Sequence, residues 1–452
     1  MILGASGDLT KRLLLPGFGQ LLDSSRGRQL QLLGVGQAEL SDGEWRERVA
    51  ASFEQAGARG ARSRAVCEGS HYRTADVTDP KELRSILDAC EGTPAIYFAL
   101  PPSVTIASID AMSEVELPEG TVFGMEKPFG TDLATATALN RKVTTLIPER
   151  NVHRVDHFLG KSTVLNIIGL RFANRVFEKV WNAENVAKVE ITFDESLALE
   201  GRAGYYDRAG ALIDMIQSHL LLVLALVAME PPSSLDPDDL RGAMAQALRA
   251  TNVFGGDAAT ASRRARYTAG EVDGRTLPSY ADEQGVDPSR GTETLTEVTL
   301  SVDNWRWAGV PFVLRSGKAL GDTRQNVAVT FKQVPHLPRG FSGSPDPAQL
   351  RMAINPDRMQ LDLVINGQGD PFGLDRVTLN SDFGAGELES YGEVISGLLS
   401  DDPTLSVRAD EVEECWRIVA PVLEAWKAGE VPLEEYPAGS HGPQGWPSNP
   451  AA

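Results

Sequence analysis

The sequence predicts an α/β nucleotide-binding domain of the Rossmann type, followed by a larger α+β domain with a mostly antiparallel sheet. Three observations predict it. The first third alternates short apolar runs with helical patterns, as βαβ units do. A glycine turn, "LGASGDLTKR" (Leu3–Arg12), follows the first apolar run and opens a helix. From about residue 186 the apolar residues recur instead with period two, the mark of half-buried antiparallel strands.

The elements follow in order. "MIL" is the first strand and "LQLLGVG" (Leu30–Gly36) the second; "HYRTADVTD", "AIYFALPP" (Ala95–Pro102) and "GTVFGMEKPFG" (Gly120–Gly130) are further strands. Helices are expected at 103–117 and 131–147. Residues 1–150 are therefore expected to form the dinucleotide-binding domain, and 151–452 a larger α+β domain. In the second part, "NVAKVEITFDES", "TETLTEVTLSV", "VPFVLRSGK", "NVAVTFKQV" and "RMQLDLVI" read as strands, with helices near 207–229, 237–250, 386–400 and 408–427. Residues 251–291 read as a long surface excursion and the tail from Pro437 as irregular. The first strand has only three residues before Gly4, whereas strands usually have about 5–6. The expectation is either a natural start further upstream or an unusually short strand.

Composition narrows the function. A chain of 452 residues is too long for one ordinary core. Apolar content of 42% and charged content of 23% are those of a globular protein. Net charge is −19, which argues against nucleic acid and against anionic membranes as partners. An anionic ligand would need basic side chains gathered locally against that field. Cys67, Cys90 and Cys415 are odd in number and widely spaced, which suggests neither disulfides nor a metal site, and a reducing, cytoplasmic compartment. The longest apolar run, Leu220–Met229, is too short to span a bilayer and reads as a buried helix.

In the glycine turn, Gly4, Ala5, Ser6, Gly7, Asp8, Leu9 and Lys11 lie where a backbone can approach a pyrophosphate. The helix start supplies N–H donors and a positive dipole end. A plain strand-to-helix turn is the competing reading; the position at the first strand of an alternating region favours the nucleotide. "VDHFLGKS" (Val155–Ser162) sets an acid, an imidazole and an ammonium within eight residues. His157 and Lys161, spaced i and i+4, could share a helix face. Such a face could be a solvated charge cluster or an anion site. His219 enters an apolar helix, where a histidine is more often a core residue. Glu195, taken alone, is a polar strand residue.

These stretches, "GASGDLTKR", "EKPFGTDL", "RVDHFLGKSTVLNIIGLRFAN", "GRAGYYDRAGALIDMIQSHLL", "VPFVLRSGKAL" and "YPAGSHGP", occur in the order seen in glucose-6-phosphate dehydrogenases, and the chain resembles that family over essentially its whole length. The resemblance implies oxidation of glucose 6-phosphate at C1 to the lactone, by hydride transfer to NADP or NAD. It implies that His219 is the general base and Asp156 its orienting partner; a neutral imidazole suits that task near pH 7. His157 and Lys161 then match the phosphate-binding pair, Glu195 and Asp214 the sugar-binding carboxylates, Lys318 a substrate-side lysine, and Lys127 a lysine between cofactor and substrate. "EKP" itself is weakly specific, because unrelated sugar dehydrogenases of the same nucleotide fold carry it. Asp214 lies about 140° from His219 round a regular helix, so the two converge on one ligand only if that helix is irregular or the sugar lies across its end. The resemblance makes 151–452 the substrate-binding and oligomerisation domain, and a homodimer or tetramer is implied by analogy.

The chain departs from the family in four places. Phe158 replaces a tyrosine, Ser218 an asparagine, and Thr323 a basic residue, with Arg324 next to it. Gln37 falls where an arginine usually pairs with the 2′-phosphate of NADP, and Glu39 follows. NADP remains the family default, NAD use becomes an expectation, and Lys11 or Arg12 is the alternative source of positive charge. A dehydrogenase for a different or non-phosphorylated sugar, or a silent cofactor-binding relative, is the competing function.

Overall fold

The computed structural model describes residues 1–24, 26–354, 358–367, 369–382 and 388–446. The chain forms two compact units, each built from several segments. One comprises Met1–Lys161, Pro232–Ala243 and Ala385–Glu413, the other Ser162–Pro231, Met244–Gly384 and Glu414–Ala452.

The first unit is built on a parallel sheet. Its strands are β1 (Ile2–Leu3), β2 (Leu33–Gly36), β3 (His71–Thr74), β4 (Ala95–Phe98), β5 (Val122–Met125) and β6 (Val152–Val155). They lie in the order β3-β2-β1-β4-β5-β6, with every pairing parallel. The short strand Ser406–Val407 pairs antiparallel with β6 at the far edge. This is the doubly wound order in which the chain reverses direction between β1 and β4, and such a switch point opens a crevice at the carboxyl ends of the strands. Alternation along the strands feeds two cores. Ile2, Tyr72, Tyr97 and Val122 pack with Trp45 and Phe53 on one face. Leu3, Val35, Ile96, Phe98 and Phe123 pack with Leu83, Ile109 and Met112 on the other. The expected helices stand at Pro102–Met112 and Leu133–Leu146. β1 has only two residues and is central. The helix expected at 386–400 runs from Ser390 to Ser400; 386–387 lie outside the described residues.

The second unit has, among the described residues, a ten-stranded sheet. Its strands are β7 (Val186–Asp194), β8 (Thr251–Val253), β9 (Ser262–Thr268), β12 (Leu295–Val302), β13 (Phe312–Gly317), β14 (Arg324–Phe331), β15 (Gln349–Ala353), β16 (Arg358–Asn366), β17 (Leu374–Asp382) and the C-terminal strand Leu433–Pro437. β10 (Gly270–Val272) and β11 (Arg275–Leu277) form a separate hairpin. The order is β17-β16-β15-β14-β7-β13-β12-β9, then the C-terminal strand, with β8 pairing β12. Pairing is antiparallel except between β7 and β13 and between β9 and the C-terminal strand. The expected excursion at 251–291 is thus partly sheet: β9 alternates buried and part-exposed residues and pairs on both sides. Its Arg and Ser content hid this, because only one face of the strand is buried. From 438 to 446 the tail is irregular but packed, with Trp446 in the same cluster as Tyr267 and Tyr436, and 447–452 lie outside the described residues.

The helix Ala203–Ala228 is long and apolar enough to cross a membrane by length and composition, which the run Leu220–Met229 alone is not. Every residue from Leu220 to Met229 is at most 1% exposed within the unit. At roughly 1.5–3 kcal/mol for each large aliphatic side chain buried, that surface is spent on the core.

Candidate active site

The glycine turn opens at the switch point. Gly4 has φ +83, and a Cβ there would lie 2.1 Å from the carbonyl oxygen of Ala99, after β4. Only glycine lets the turn pass that close. The N–H groups of Gly4 and Ala5 both donate to Val35 O, at 2.8 and 2.9 Å, which ties the turn to β2. Gly7 N–H closes the turn onto Gly4 O at 3.0 Å, and a helix begins at Asp8. The first-turn N–H groups of a helix have no acceptor within it, so the turn presents donors and a positive dipole end to an anion. Ser6, Gly7, Asp8 and Lys11 are exposed, as a phosphate cradle requires; Leu9 is half-buried and Ala5 buried. The residues present therefore fit a dinucleotide. Past β2, Gln37 and Glu39 are exposed. Arg12 is exposed too and pairs with Asp8 at 3.2 Å.

The same unit holds the aspartate–histidine–lysine stretch. β6 ends at Val155, and Asp156 follows it, buried. Its Oδ1 accepts from Phe158 N–H at 2.7 Å, and Lys161 N–H donates to Phe158 O at 3.1 Å. Residues 157–160 are thus a tight turn, and the helix starts only at Ser162. This corrects the shared helix face expected for His157 and Lys161: an aspartate side chain that bonds the backbone two residues on favours a turn. The two basic residues instead flank the buried Phe158 ring, which lies 5.0 Å from the His157 ring and 5.1 Å from Lys161 Nζ. A cation over an aromatic face is attracted to it.

Sequence reasoning missed two neighbours of this turn. Tyr391 stacks on His157, rings 6.2 Å apart and nearly parallel. Glu126, after β5, accepts from the hydroxyls of Tyr97 and Tyr391. Burial pushes its carboxyl up, and the negative charge of Asp156 adds to this; the two hydroxyls and the Lys127 ammonium pull it back. Glu126 could have been suspected as the acid of "EKP". Tyr391 had no signal, being some 230 residues from His157 in a plain helical pattern.

In the second unit, the irregularity required for Asp214 and His219 is present. Leu212–Leu220 is a π-helix, and Leu221 N–H reaches back five residues to Ile216 O. An i→i+5 ladder brings residues five apart round to nearly the same side. Asp214 and His219, both buried, are therefore stacked one turn apart. Ser218 Oγ donates to Asp214 O at 2.6 Å. Burial first, and the Asp214 charge next, push the Tyr205 and Tyr206 hydroxyls up. Lys318 Nζ lies 5.4 Å over the Tyr206 ring and donates to Glu195 Oε2 at 2.8 Å. That pair follows from register: β7 and β13 are parallel with Asp194 opposite Gly317, so the next residue of each, Glu195 and Lys318, emerge side by side. Arg324 is committed elsewhere. Its guanidinium grips the buried Asp194 at 2.6 Å, beside Arg315 at 3.0 Å.

Both halves of the chain match known proteins. Residues 1–166 match the glucose-6-phosphate dehydrogenase NAD binding domain, and 168–448 the glucose-6-phosphate dehydrogenase C-terminal domain. The chain is 37% identical to a glucose-6-phosphate 1-dehydrogenase of Treponema pallidum, covering 98% of this chain and 92% of the relative. It is also 37% identical to that of Gluconobacter oxydans, covering 98% and 94%. Among solved structures, the Mycobacterium avium glucose-6-phosphate 1-dehydrogenase superposes with a TM-score of 0.84 at 32% identity, covering 98% of this chain and 94% of that one. A glucose-6-phosphate dehydrogenase in complex with its substrate glucose 6-phosphate superposes at 0.87 with 28% identity, covering 98% and 95%. With both halves matched over almost their full length and a glycine turn built for a dinucleotide, the chain belongs to the glucose-6-phosphate dehydrogenase family of oxidoreductases.

Proposed function

We propose that this chain oxidises glucose 6-phosphate at C1 to 6-phosphoglucono-lactone, the first oxidative step of the pentose phosphate pathway, with His219 as the general base. The π-helix carries this reading. It sets a buried imidazole and a buried carboxylate on one side of one element, as a base beside a sugar-hydroxyl acceptor requires. The nicotinamide, when bound, takes the hydride from C1. His219 takes the proton of the C1 hydroxyl, and Asp156 is the partner that orients it. Asp214 and Glu195 accept from sugar hydroxyls, with Lys318 holding Glu195. His157 and Lys161 bind the phosphate; an ammonium about 4 Å from a phosphate charge contributes on the order of 4 kcal/mol at an effective dielectric near 20. Lys127 stands on the substrate side of the cofactor.

For the cofactor, the proposal is that NADP is used and that NAD is used to a useful extent. Gln37 has no charge to offer a 2′-phosphate, and Glu39 repels one. Arg12, the alternative, already faces Asp8. A reducing, cytoplasmic compartment is proposed from the odd number and wide spacing of Cys67, Cys90 and Cys415. A homodimer or tetramer is proposed by analogy with the family.

One set of rates tests this reading: glucose 6-phosphate and glucose, each with NADP and with NAD, for wild type and Lys161→Ala. Glucose 6-phosphate should be strongly preferred. Lys161→Ala should raise its KM by about tenfold or more and leave any glucose KM unchanged. Equal effects on both sugars would remove Lys161 from the phosphate site, and a preference for NADP above about a hundredfold would overturn the cofactor proposal.

A further inference from the structure

The helix that carries Asp214 and His219 does not start where its apolar pattern starts. The preceding helix, Ala203–Ala211, breaks at Gly210, whose φ is 65° and ψ 177°. The π-helix then begins inside the protein, with Ala211 and Leu212 at most 1% exposed. A buried helix start needs acceptors for its N–H groups. One residue, Glu293, meets two of them. Ala211 N–H donates to the Glu293 carbonyl at 3.3 Å, and Leu212 N–H to its Oε1 at 3.0 Å. Glu293 is 6% exposed, and a carboxyl at a helix N-terminus also suits the dipole.

The surroundings hold this arrangement. A Cβ on Gly210 would lie 2.2 Å from Glu293 Oε1, so the break in the helix is also the space the carboxyl fills. One turn earlier, the buried Asp207 accepts from Tyr280 OH at 2.9 Å, from Asp287 N–H at 3.0 Å and from Arg290. Thr292 Oγ1 donates to Asp207 O at 2.7 Å. Residues 207–212 are thereby tied to 280–293 on both sides of the break. A cavity of about 610 Å³ opens onto this point, lined by Ile213, Arg264, Arg290, Trp426 and Glu293 itself.

We infer that Glu293 is a positioning residue for the reaction: by capping the π-helix at Leu212 it fixes where Asp214 and His219 stand. The inference rests on the reading of His219 as the base. It assigns Glu293 no contact with sugar or cofactor. The cap needs an oxygen at Oε1, which an amide supplies as well as a carboxyl. Burial pushes the acid up to about 7, with the N–H groups of Leu212 and Ala211 pulling it back, and either protonation state leaves that acceptor in place.

The test is a set of steady-state rates with glucose 6-phosphate and NADP. Glu293→Val should lower kcat by about 10–100-fold and leave the KM for NADP within about twofold. Glu293→Gln should recover most of the lost kcat. Gly210→Ala, which displaces the carboxyl without removing it, should lower kcat as Glu293→Val does; it decides the matter if the valine variant fails to fold. In the double variant Glu293→Val with His219→Asn, kcat should fall no further than in His219→Asn alone. A folded Glu293→Val enzyme with wild-type kcat overturns the inference, and so do losses that multiply in the double variant. A His219→Asn enzyme with wild-type kcat is a different result: it overturns the assignment of the base.

Discussion

Among the described residues two helices carry a π segment, and they differ in where they put it. Thr10–Leu14 follows the glycine turn of the first unit, and its Lys11, Arg12 and Leu13 face solvent. There the backbone does the binding, and side chains matter chiefly where they must be absent, as at Gly4. Leu212–Leu220 in the second unit is almost wholly buried, and two of its side chains, Asp214 and His219, are those proposed to carry the chemistry. The comparison teaches that an extra residue in a helix has no fixed meaning. In one place it adjusts how a helix leaves a turn, and in the other it aligns Asp214 with His219, the proposed base, which a regular helix would hold about 140° apart.

The comparison can be broken at its buried end first. His219→Asn should lower kcat by about 10²–10⁴-fold, about 3–5 kcal/mol of barrier, with sugar affinity little changed. Single-turnover rates check that chemistry is the step affected. Asp156→Asn should give a smaller loss, because it removes an orienting partner and not the base.

At the exposed end, Gly4→Ala should act on the cofactor and not on the sugar. A methyl 2.1 Å from Ala99 O forces the turn open. The KM for NADP should rise about tenfold or more, since one lost charged contact is already about 1.5–3 kcal/mol, with the KM for glucose 6-phosphate unchanged. If both rise together, the turn supports the whole unit and does not act only as a nucleotide cradle.

The smallest effect is on stability, away from either helix. Glu411, fully buried, is pushed up to about 8 by desolvation, against the pull of Arg408 and Arg241. Its folded value lies above that of the unfolded chain. Its contribution is therefore fully present below the ordinary carboxylate range and is lost as pH rises through about 8. Urea unfolding of wild type and Glu411→Gln should show wild type losing ground to the variant between pH 5 and pH 8.5. A gap constant with pH would mean that the group titrates normally in the fold.

The same contrast explains what was legible in the sequence. The nucleotide unit announces itself, because glycines are needed at fixed places and parallel strands leave short apolar runs. The buried reaction groups do not. His219 within an apolar helix has the pattern of a core histidine, and only the resemblance to a family gave it a task. An irregular helix was one of two ways for Asp214 and His219 to meet one ligand, and the π-helix could not be located, since no residue type marks an i→i+5 turn. Tyr391 and Glu293 were invisible because each reaches its neighbours through tertiary packing. β9 was lost for a simpler reason: its exposed arginines pointed to a loop.

The C-terminal strand Leu433–Pro437 has a consequence for how the chain is made. It lies beside β9, and Tyr436 accepts through its carbonyl from Thr268, 168 residues earlier. The Tyr436 ring is fully buried, and its hydroxyl donates to the Lys318 carbonyl at 2.6 Å. During synthesis, β9 therefore waits with an unpaired edge until nearly the whole chain has left the ribosome, at about 5–20 residues per second. The first unit has its six parallel strands by Val155, but it also takes in Ala385–Glu413, whose strand Ser406–Val407 pairs with β6, so it too is completed late. The second unit is the one that receives its last strand latest, and its long-range pairing makes that closure slow. Ribosome-bound chains that have exposed residues through Glu413 but not Leu433 should carry a completed nucleotide unit while β9 still has an open edge.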